Sequence, residues 1–343
     1  METRFLGRSG LEVSVFGFGT MTFGGVGHGA VMGETQVADG RRQIDMAIEA
    51  GVNLFDTADI YSVGAAEEIL GEIVRDKRND VLIATKAFSR TGEKTYDVGL
   101  SRRHLIEACE ASLRRLKTDW IDLYQVHNFD TLTPLEETLR TLDDLVRAGK
   151  VRYIGCSNYF GWELTKALGV SERLGLERYI SQQIQYSLIV RDAETEMLPA
   201  GIDQGVGALI WGPLASGYLT GKFRGELEGP ARIAGTSRLA QYDDARGRAI
   251  VAVLDEIAKG REGVTPSQVA INWVRARPGV TSVILGARDE AQLRDNLAAA
   301  TWSLSSEEMG MLERASRTPL PYPVGGRGFF HPERNPHPFR AAP

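Results

Sequence analysis

The stretch Ile121-Asp122-Leu123-Tyr124-Gln125-Val126-His127 is an apolar run that ends in a histidine. Two earlier runs have the same form: Val81-Leu82-Ile83-Ala84 leads to Lys86, and Asn53-Leu54-Phe55 leads to Asp56. Short apolar runs of this kind are typical of buried parallel strands, and such strands present chemically active groups at their carboxyl ends. The runs therefore predict a parallel sheet with functional residues along one edge.

The same strand pattern alternates with helical patterns from about Phe16 to Ala300. Eight strands are predicted, at residues 13–19, 53–57, 81–86, 121–127, 151–155, 181–186, 207–211 and 280–285. The intervening helices are predicted at 41–50, 65–75, 101–116, 134–149, 161–174, 267–277 and 289–299. Eight such units over roughly 250–300 residues favour a (β/α)₈ TIM barrel over an open sheet.

The predicted barrel forms a single domain over residues 1–318, with two irregular segments. Lys222 to Asp243, after the seventh strand, is rich in glycine and charge and is expected to form a long surface loop. Residues 319–343 hold seven prolines and are expected to form an extended C-terminal tail. The tail aromatics Tyr322, Phe329 and Phe330 are candidates to close a pocket.

Composition limits the classes of partner. The chain of 343 residues has a net charge of −5 and no basic stripe, so nucleic acid and anionic membranes are poor candidates. There is no N-terminal signal-peptide pattern, and no apolar stretch approaches the ~18–20 residues of a membrane-spanning helix. Cys109 and Cys156 are expected to be free thiols, and the expected location is cytoplasmic. The chain is expected to be a monomer or a homo-oligomer.

Four side chains of complementary chemistry fall at or just after the predicted strand ends: Asp56, Tyr61, Lys86 and His127. A carboxylate, a phenol, an amine and an imidazole that meet at one sheet edge form a site that can donate a proton. Asp59 lies between two of them and is interpreted as a loop or capping carboxylate. The remaining histidines show no metal-ligand spacing and are interpreted as surface or loop residues, so no metal site is predicted: His28, His104, His331 and His337.

The order of motifs along the chain resembles that of the aldo-keto reductases over about residues 4–300. The resemblance is carried by Phe55-Asp56-Thr57-Ala58-Asp59-Ile60-Tyr61, Lys86, Asp122 to His127, Gly155-Cys156-Ser157-Asn158, Gln183-Ile184-Gln185-Tyr186, Trp211-Gly212-Pro213-Leu214 and Gly286-Ala287-Arg288. It implies reversible, NADPH-dependent reduction of aldehydes and ketones. Tyr61 would be the general acid and Lys86 would favour its phenolate. Asp56 would hold the lysine, and His127 would orient the carbonyl oxygen.

The resemblance also implies a cofactor site for NADP(H). The polar side chains expected at the nicotinamide carboxamide are Ser157, Asn158 and Gln183, and Trp211 is expected to stack on the ring, although a tryptophan of the barrel core is the alternative. The first strand end and the pyrophosphate segment add Gly19, Thr20, Met21, Gly212, Pro213, Leu214, Ser216, Leu219, Gly221 and Lys222. The adenosine end adds Gly286, Ala287, Arg288, Gln292, Asp295 and Asn296. The guanidinium of Arg288 suits a 2′-phosphate, which favours NADPH over NADH.

Four aromatic residues just after strand ends are candidates for an apolar substrate pocket, with core packing as an equal interpretation: Phe23, Phe88, Phe129 and Tyr159. Two other functions stay open. One is a regulatory subunit that binds the cofactor with little turnover and resembles potassium-channel β-subunits. The other is an aldolase that forms a Schiff base at Lys86.

Overall fold

The computed structural model describes residues 1–27, 32–222, 241–319 and 321–324. A short antiparallel hairpin of β1 (Thr3–Phe5) and β2 (Glu12–Ser14) precedes the main sheet. The barrel strands are β3 (Phe16–Gly19), β4 (Leu54–Asp56), β5 (Leu82–Ala87), β6 (Ile121–Val126), β7 (Val151–Ser157), β8 (Tyr179–Gln185), β9 (Gly207–Trp211) and β10 (Val280–Leu285). Neighbouring barrel strands are parallel, and β10 pairs with β3 to close the ring.

Helices cover the outside of this barrel. Those described are α1 (Val37–Glu49), α2 (Ala65–Val74), α3 (Arg102–Leu116), α4 (Leu135–Arg147), α5 (Gly161–Leu174), α6 (Met197–Gln204), α7 (Ala245–Lys259), α8 (Pro266–Arg275), α9 (Glu290–Ala298) and α10 (Ser306–Ser316). None of them combines the length and the continuous apolar surface that a membrane-spanning segment requires. The fold is a (β/α)₈ TIM barrel, and this prediction is confirmed.

Some predicted elements differ in detail. The first apolar run, 13–19, divides between β2 and β3, because Val15 lies between the two strands. The helix predicted to begin at Pro134 begins one residue later, with Pro134 at the N-cap. The sequence patterns did not predict α6, α7 or α10. The expected long loop and the C-terminal tail lie mostly outside the described residues, so the division at residue 318 stays a prediction.

The N-terminal hairpin closes the amino-terminal end of the barrel. Leu6, Leu11 and Val13 are buried and pack against inward-facing residues of the strands, which are Leu54, Ala84, Leu123, Ile180, Leu209 and Ile284. This apolar plug fills one end of the barrel interior. The polar inward-facing residues therefore collect at the opposite end, where the strands finish.

Candidate active site

The four predicted catalytic residues lie together at the carboxyl ends of β4, β5 and β6, with Lys86 at the centre. The ammonium nitrogen Nζ of Lys86 donates to Oδ1 of Asp56 over 2.6 Å and to the carbonyl oxygen of Thr57 over 2.7 Å. A third, longer bond of 3.4 Å reaches the hydroxyl of Tyr61. An ammonium has three donors, so all three are committed. The lysine is therefore fixed in one orientation between the carboxylate and the phenol.

Asp56 is held by amides as well as by the lysine. Nε2 of Gln183 donates to Oδ2 of Asp56 over 2.7 Å, and Nε2 of Gln125 lies 3.5 Å from the same oxygen. Thr20 donates its backbone N–H to the main-chain carbonyl of Asp56 over 2.9 Å. Gln125 was not among the residues predicted from the sequence. Its position two residues before His127 indicates that it faces the barrel interior as well.

Tyr61 is followed by a strained turn. Three successive residues have left-handed backbone angles, namely Ser62 (φ 48°), Val63 (φ 59°) and Gly64 (φ 94°). This conformation is unfavourable for valine, which branches at Cβ. The hydroxyl of Ser62 compensates, since it donates to the carbonyl oxygen of Phe23 over 2.6 Å and accepts from the N–H of Gly25. The turn therefore ties the backbone beside Tyr61 to the loop after β3.

Burial and charge act in opposite directions on the phenol and the lysine. Burial raises the pKa of Tyr61, and this effect outweighs the lowering by the positive charge of Lys86. Burial lowers the pKa of Lys86, but Asp56 and Tyr61 outweigh it, so that the lysine pKa lies above its ordinary value. At neutral pH the phenol is therefore protonated and the amine is charged. A protonated phenol next to a positive charge is the arrangement that a general acid requires.

His127 lies beside the phenol. The ring centroids of Tyr61 and His127 are 5.9 Å apart, at an interplanar angle of 74°. Burial, followed by repulsion from Lys86, lowers the pKa of His127 to about 3. The imidazole is therefore neutral at physiological pH. Its Nδ1 is buried without a hydrogen-bond partner among the described residues.

Asp59 lies in a turn after β4, as the loop interpretation expected, and it is only 2% exposed. The interpretation of His104 as a surface or loop residue is wrong, since it lies on α3 and is buried. His28, His331 and His337 lie outside the described residues. In the described ranges, no three His, Cys, Asp or Glu side chains are grouped to hold a metal.

The residues predicted at the nicotinamide carboxamide form one connected group. Nε1 of Trp211 donates to Oδ1 of Asn158 over 3.1 Å, and Nδ2 of Asn158 donates to the carbonyl oxygen of His127 over 3.0 Å. The hydroxyl of Ser157 donates to the carbonyl oxygen of Gln183 over 2.8 Å. Gln183 itself binds Asp56. The group therefore connects directly to the catalytic residues through both His127 and Asp56.

The predicted pyrophosphate segment after β9 is strained and leaves open space. Ala215, Ser216 and Gly217 all have left-handed backbone angles, of 49°, 58° and 97°. A Cβ added at Gly217 would meet no atom within 4 Å, and one added at Gly212 would meet its nearest atom at 3.8 Å. Of the other predicted residues, Leu214, Gly221 and the exposed Lys222 remain partly accessible, whereas Pro213 and Leu219 are buried.

The residues predicted at the adenosine end differ in their exposure to solvent. Arg288 is exposed, and its backbone N–H donates to Oε1 of Gln292 over 3.3 Å. A Cβ at Gly286 would again meet nothing within 4 Å, whereas Ala287 is buried. Asn296 is buried and donates to the carbonyl oxygen of Gly286.

Asp295 is committed elsewhere. It accepts hydrogen bonds from the hydroxyl of Thr265 and the amide of Gln268 at the start of α8.

The predicted substrate aromatics also divide. Phe88 and Phe129 are half-buried, and the ring of Phe129 packs against Tyr159 at a centroid distance of 5.1 Å. Phe23 and Tyr159 are fully buried. At the first strand end, Gly19 and Thr20 are buried and Met21 is exposed.

The structure is a closed parallel (β/α)₈ barrel that brings an aspartate, a tyrosine, a lysine and a histidine together at its carboxyl end. The chain belongs to the aldo/keto reductase family, whose sequence profile matches residues 15–317. This confirms the family resemblance.

The chain is similar to three relatives over most of their length. It is 37% identical over 311 residues to a probable voltage-gated potassium channel subunit beta of Arabidopsis thaliana. These residues are 87% of this chain and 91% of the relative. An uncharacterized oxidoreductase of Bacillus subtilis is 38% identical over 327 residues, or 91% of this chain and 95% of that protein. A putative voltage-gated potassium channel subunit beta of Schizosaccharomyces pombe is 35% identical over 306 residues, which are 86% and 87% of the two chains.

Proposed function

We propose that this protein reduces aldehydes or ketones to alcohols with NADPH, reversibly, with Tyr61 as the general acid. The observation that carries the proposal is the position of the Lys86 ammonium, which bonds to both Asp56 and Tyr61 in a buried site. A solvated lysine would not require this arrangement. The neutral imidazole of His127 beside the phenol completes the set.

The residues act on the carbonyl oxygen while NADPH, when bound, supplies the hydride. The Lys86 nitrogen has no acceptor site, so the Tyr61 oxygen accepts from the lysine and its own proton is free to point at the substrate. Neutral His127 can donate a second hydrogen bond to the same oxygen. As negative charge develops there, Tyr61 transfers its proton, and the adjacent ammonium stabilises the phenolate that remains.

The described residues fit NADPH. Asn158 and Gln183 present amides beside the catalytic residues, and Trp211 is partly exposed and held in place by Asn158. Glycine leaves open space at positions 217 and 286, where a cofactor backbone would pass close to the protein. Exposed Arg288 offers a planar fork for a 2′-phosphate. We infer that Asn158, Gln183 and Trp211 would hold the nicotinamide and that Arg288 would hold the phosphate.

The proposed site omits some of the residues predicted from the sequence. Asp295 is occupied by the cap of α8, so we do not assign it to adenine. Leu219 and Pro213 are buried, so we do not assign their side chains to cofactor contact. For the substrate we favour Phe88 and Phe129, because they are the half-buried members of the aromatic set.

A second candidate is a regulatory subunit that binds the cofactor and turns over little. Two of the similar proteins are named as potassium channel beta subunits, which favours this candidate. A Schiff-base aldolase is disfavoured, because a lysine nucleophile must lose its proton. The pKa of Lys86 is raised instead, and its three donors are engaged.

Steady-state assays distinguish the first two candidates. NADPH oxidation is followed at 340 nm with a panel of aliphatic aldehydes, aromatic aldehydes and ketones, and NADPH binding is measured separately by fluorescence. A reductase turns over at least one class of carbonyl at a rate typical of enzymes, on the order of 1 s⁻¹ or more. Tight NADPH binding with no turnover on any class would favour the regulatory subunit.

A further inference from the structure

A row of polar side chains lies on the outer face of the barrel, behind the catalytic residues. Sheets and their covering helices normally pack there through apolar groups. Thr85 of β5 pairs in register with Tyr124 of β6. Thr57, which follows β4, donates its backbone N–H to the carbonyl of Ala84, the residue before Thr85. All three members of the row are fully buried.

Part of this row is satisfied by a buried ion pair. Glu67 of α2 accepts from the hydroxyl of Thr85 over 2.5 Å and from Nε of Arg115, on α3, over 2.7 Å. Glu67 is completely buried, whereas the side chain of Arg115 is partly exposed. The negative charge of Glu67 is therefore compensated.

Asp59 lies next to this pair and is not satisfied. Neither of its carboxyl oxygens has a hydrogen-bond partner among the described residues, and the same holds for the hydroxyls of Thr57 and Tyr124. The backbone N–H of Asp59 donates to the carbonyl oxygen of Lys86 over 3.1 Å, so its main chain is fixed against the catalytic lysine. Buried polar atoms left without partners are costly, and several that converge are typically bridged by internal water.

The charges around Asp59 favour its neutral form. Burial and the negative charge of Glu67 raise the pKa of Asp59 well above its ordinary value. Arg115 and Lys86 oppose this with positive charge but do not reverse it. The other titratable groups that face this region are Tyr61 and Asp56 on the catalytic side, Tyr124 of β6 and Cys109 of α3.

We propose that Thr57, Asp59 and Tyr124 form a site for buried water behind the catalytic residues, in which water forms hydrogen bonds with the Asp59 carboxyl. Water at this site supplies the donor and acceptor groups that the three side chains lack. The water site does not rest on the proposed function.

A high-resolution crystal structure of the full chain tests the water site. The expected result is at least one ordered water within hydrogen-bond distance of both the Asp59 carboxyl and the Tyr124 hydroxyl. A direct Asp59–Tyr124 hydrogen bond, with no solvent between the groups, would overturn the site.

The pH dependence of thermal unfolding tests whether the buried Asp59 carboxyl holds a proton. A carboxyl whose pKa is raised on folding contributes stability that is complete at acid pH and is lost as pH rises through the folded-state pKa. The Tm of Asp59→Asn minus the Tm of the wild type should therefore increase from about pH 5 to about pH 9. The control Asp80→Asn, at an exposed position, should show a constant difference. A constant difference for Asp59→Asn as well would show that Asp59 does not hold a proton.

Discussion

Replacing Lys86 with methionine should destabilise the protein as well as inactivate it. Among the described residues, Lys86 is the one cation that forms an ion pair with Asp56, and both side chains are buried. Removal of one partner of a buried ion pair typically costs about 3–5 kcal/mol, because the other charge is left uncompensated. Gln183 and Gln125 still donate to Asp56 and offset part of this cost. We therefore expect the loss in the free energy of unfolding to be about 3 kcal/mol, at the lower end of the range.

The double variant Asp56→Asn/Lys86→Met separates charge from packing. It removes the uncompensated carboxylate and should recover at least about 1 kcal/mol relative to Lys86→Met. The assay is urea unfolding at pH 7, followed by tryptophan fluorescence and repeated without cofactor. Both variants should lack reductase activity, because Tyr61 has lost its cation. If the single and double variants were equally stable, the carboxylate would not depend on Lys86, and the assigned ion pair would be wrong.

Three further predictions concern cofactor choice, the barrel plug and pH. Arg288→Ala should weaken NADPH binding by about 10–100-fold and change NADH binding little, since a charge-assisted hydrogen bond contributes about 1.5–3 kcal/mol. Titration of both cofactors checks this, with Arg294→Ala, at an exposed position, as the control. Equal losses of NADPH and NADH affinity would refute the phosphate assignment. Leu6→Ala should lower the free energy of unfolding by about 2–5 kcal/mol, because Leu6 is buried in the apolar plug of the barrel. The control Leu132→Ala, at a residue 92% exposed, should leave the free energy of unfolding unchanged. Comparable losses in the two variants would contradict the role of the plug. Burial lowers the pKa of His127 to about 3, so its contribution to stability is complete above its unfolded-state pKa and is lost as pH falls. His127→Gln should therefore reduce the pH dependence of the free energy of unfolding between about 6.5 and about 3. An unchanged dependence would show that the imidazole is not buried as a neutral group.

The barrel strands were predictable because a buried parallel strand has a local signature. The runs that lead to Asp56, Lys86 and His127 all begin and end close to the strands that the structure shows. The N-terminal hairpin was missed because each of its strands has only three residues and lies partly exposed. Such short strands do not show two full periods of alternation. Their burial depends on contacts with distant residues of the barrel.

The identity of the catalytic residues was predictable, but their electrostatics were not. A motif gives the order Asp56, Tyr61, Lys86, but the direction in which each pKa moves depends on burial depth. The sequence predicted that Lys86 favours the phenolate of Tyr61, and in the structure burial outweighs that effect. Asp59 illustrates the same limit, because nothing local to its sequence indicates that it is buried.

The central claim is that the Tyr61 hydroxyl is the proton donor, and Tyr61→Phe tests it most directly. The variant removes one oxygen from a ring that Lys86 and His127 otherwise hold in place. With a carbonyl that the wild type reduces, kcat should fall by at least about 100-fold, while the Kd for NADPH stays at the wild-type value. A variant that retains wild-type kcat, or that loses NADPH affinity as much as turnover, would contradict the account.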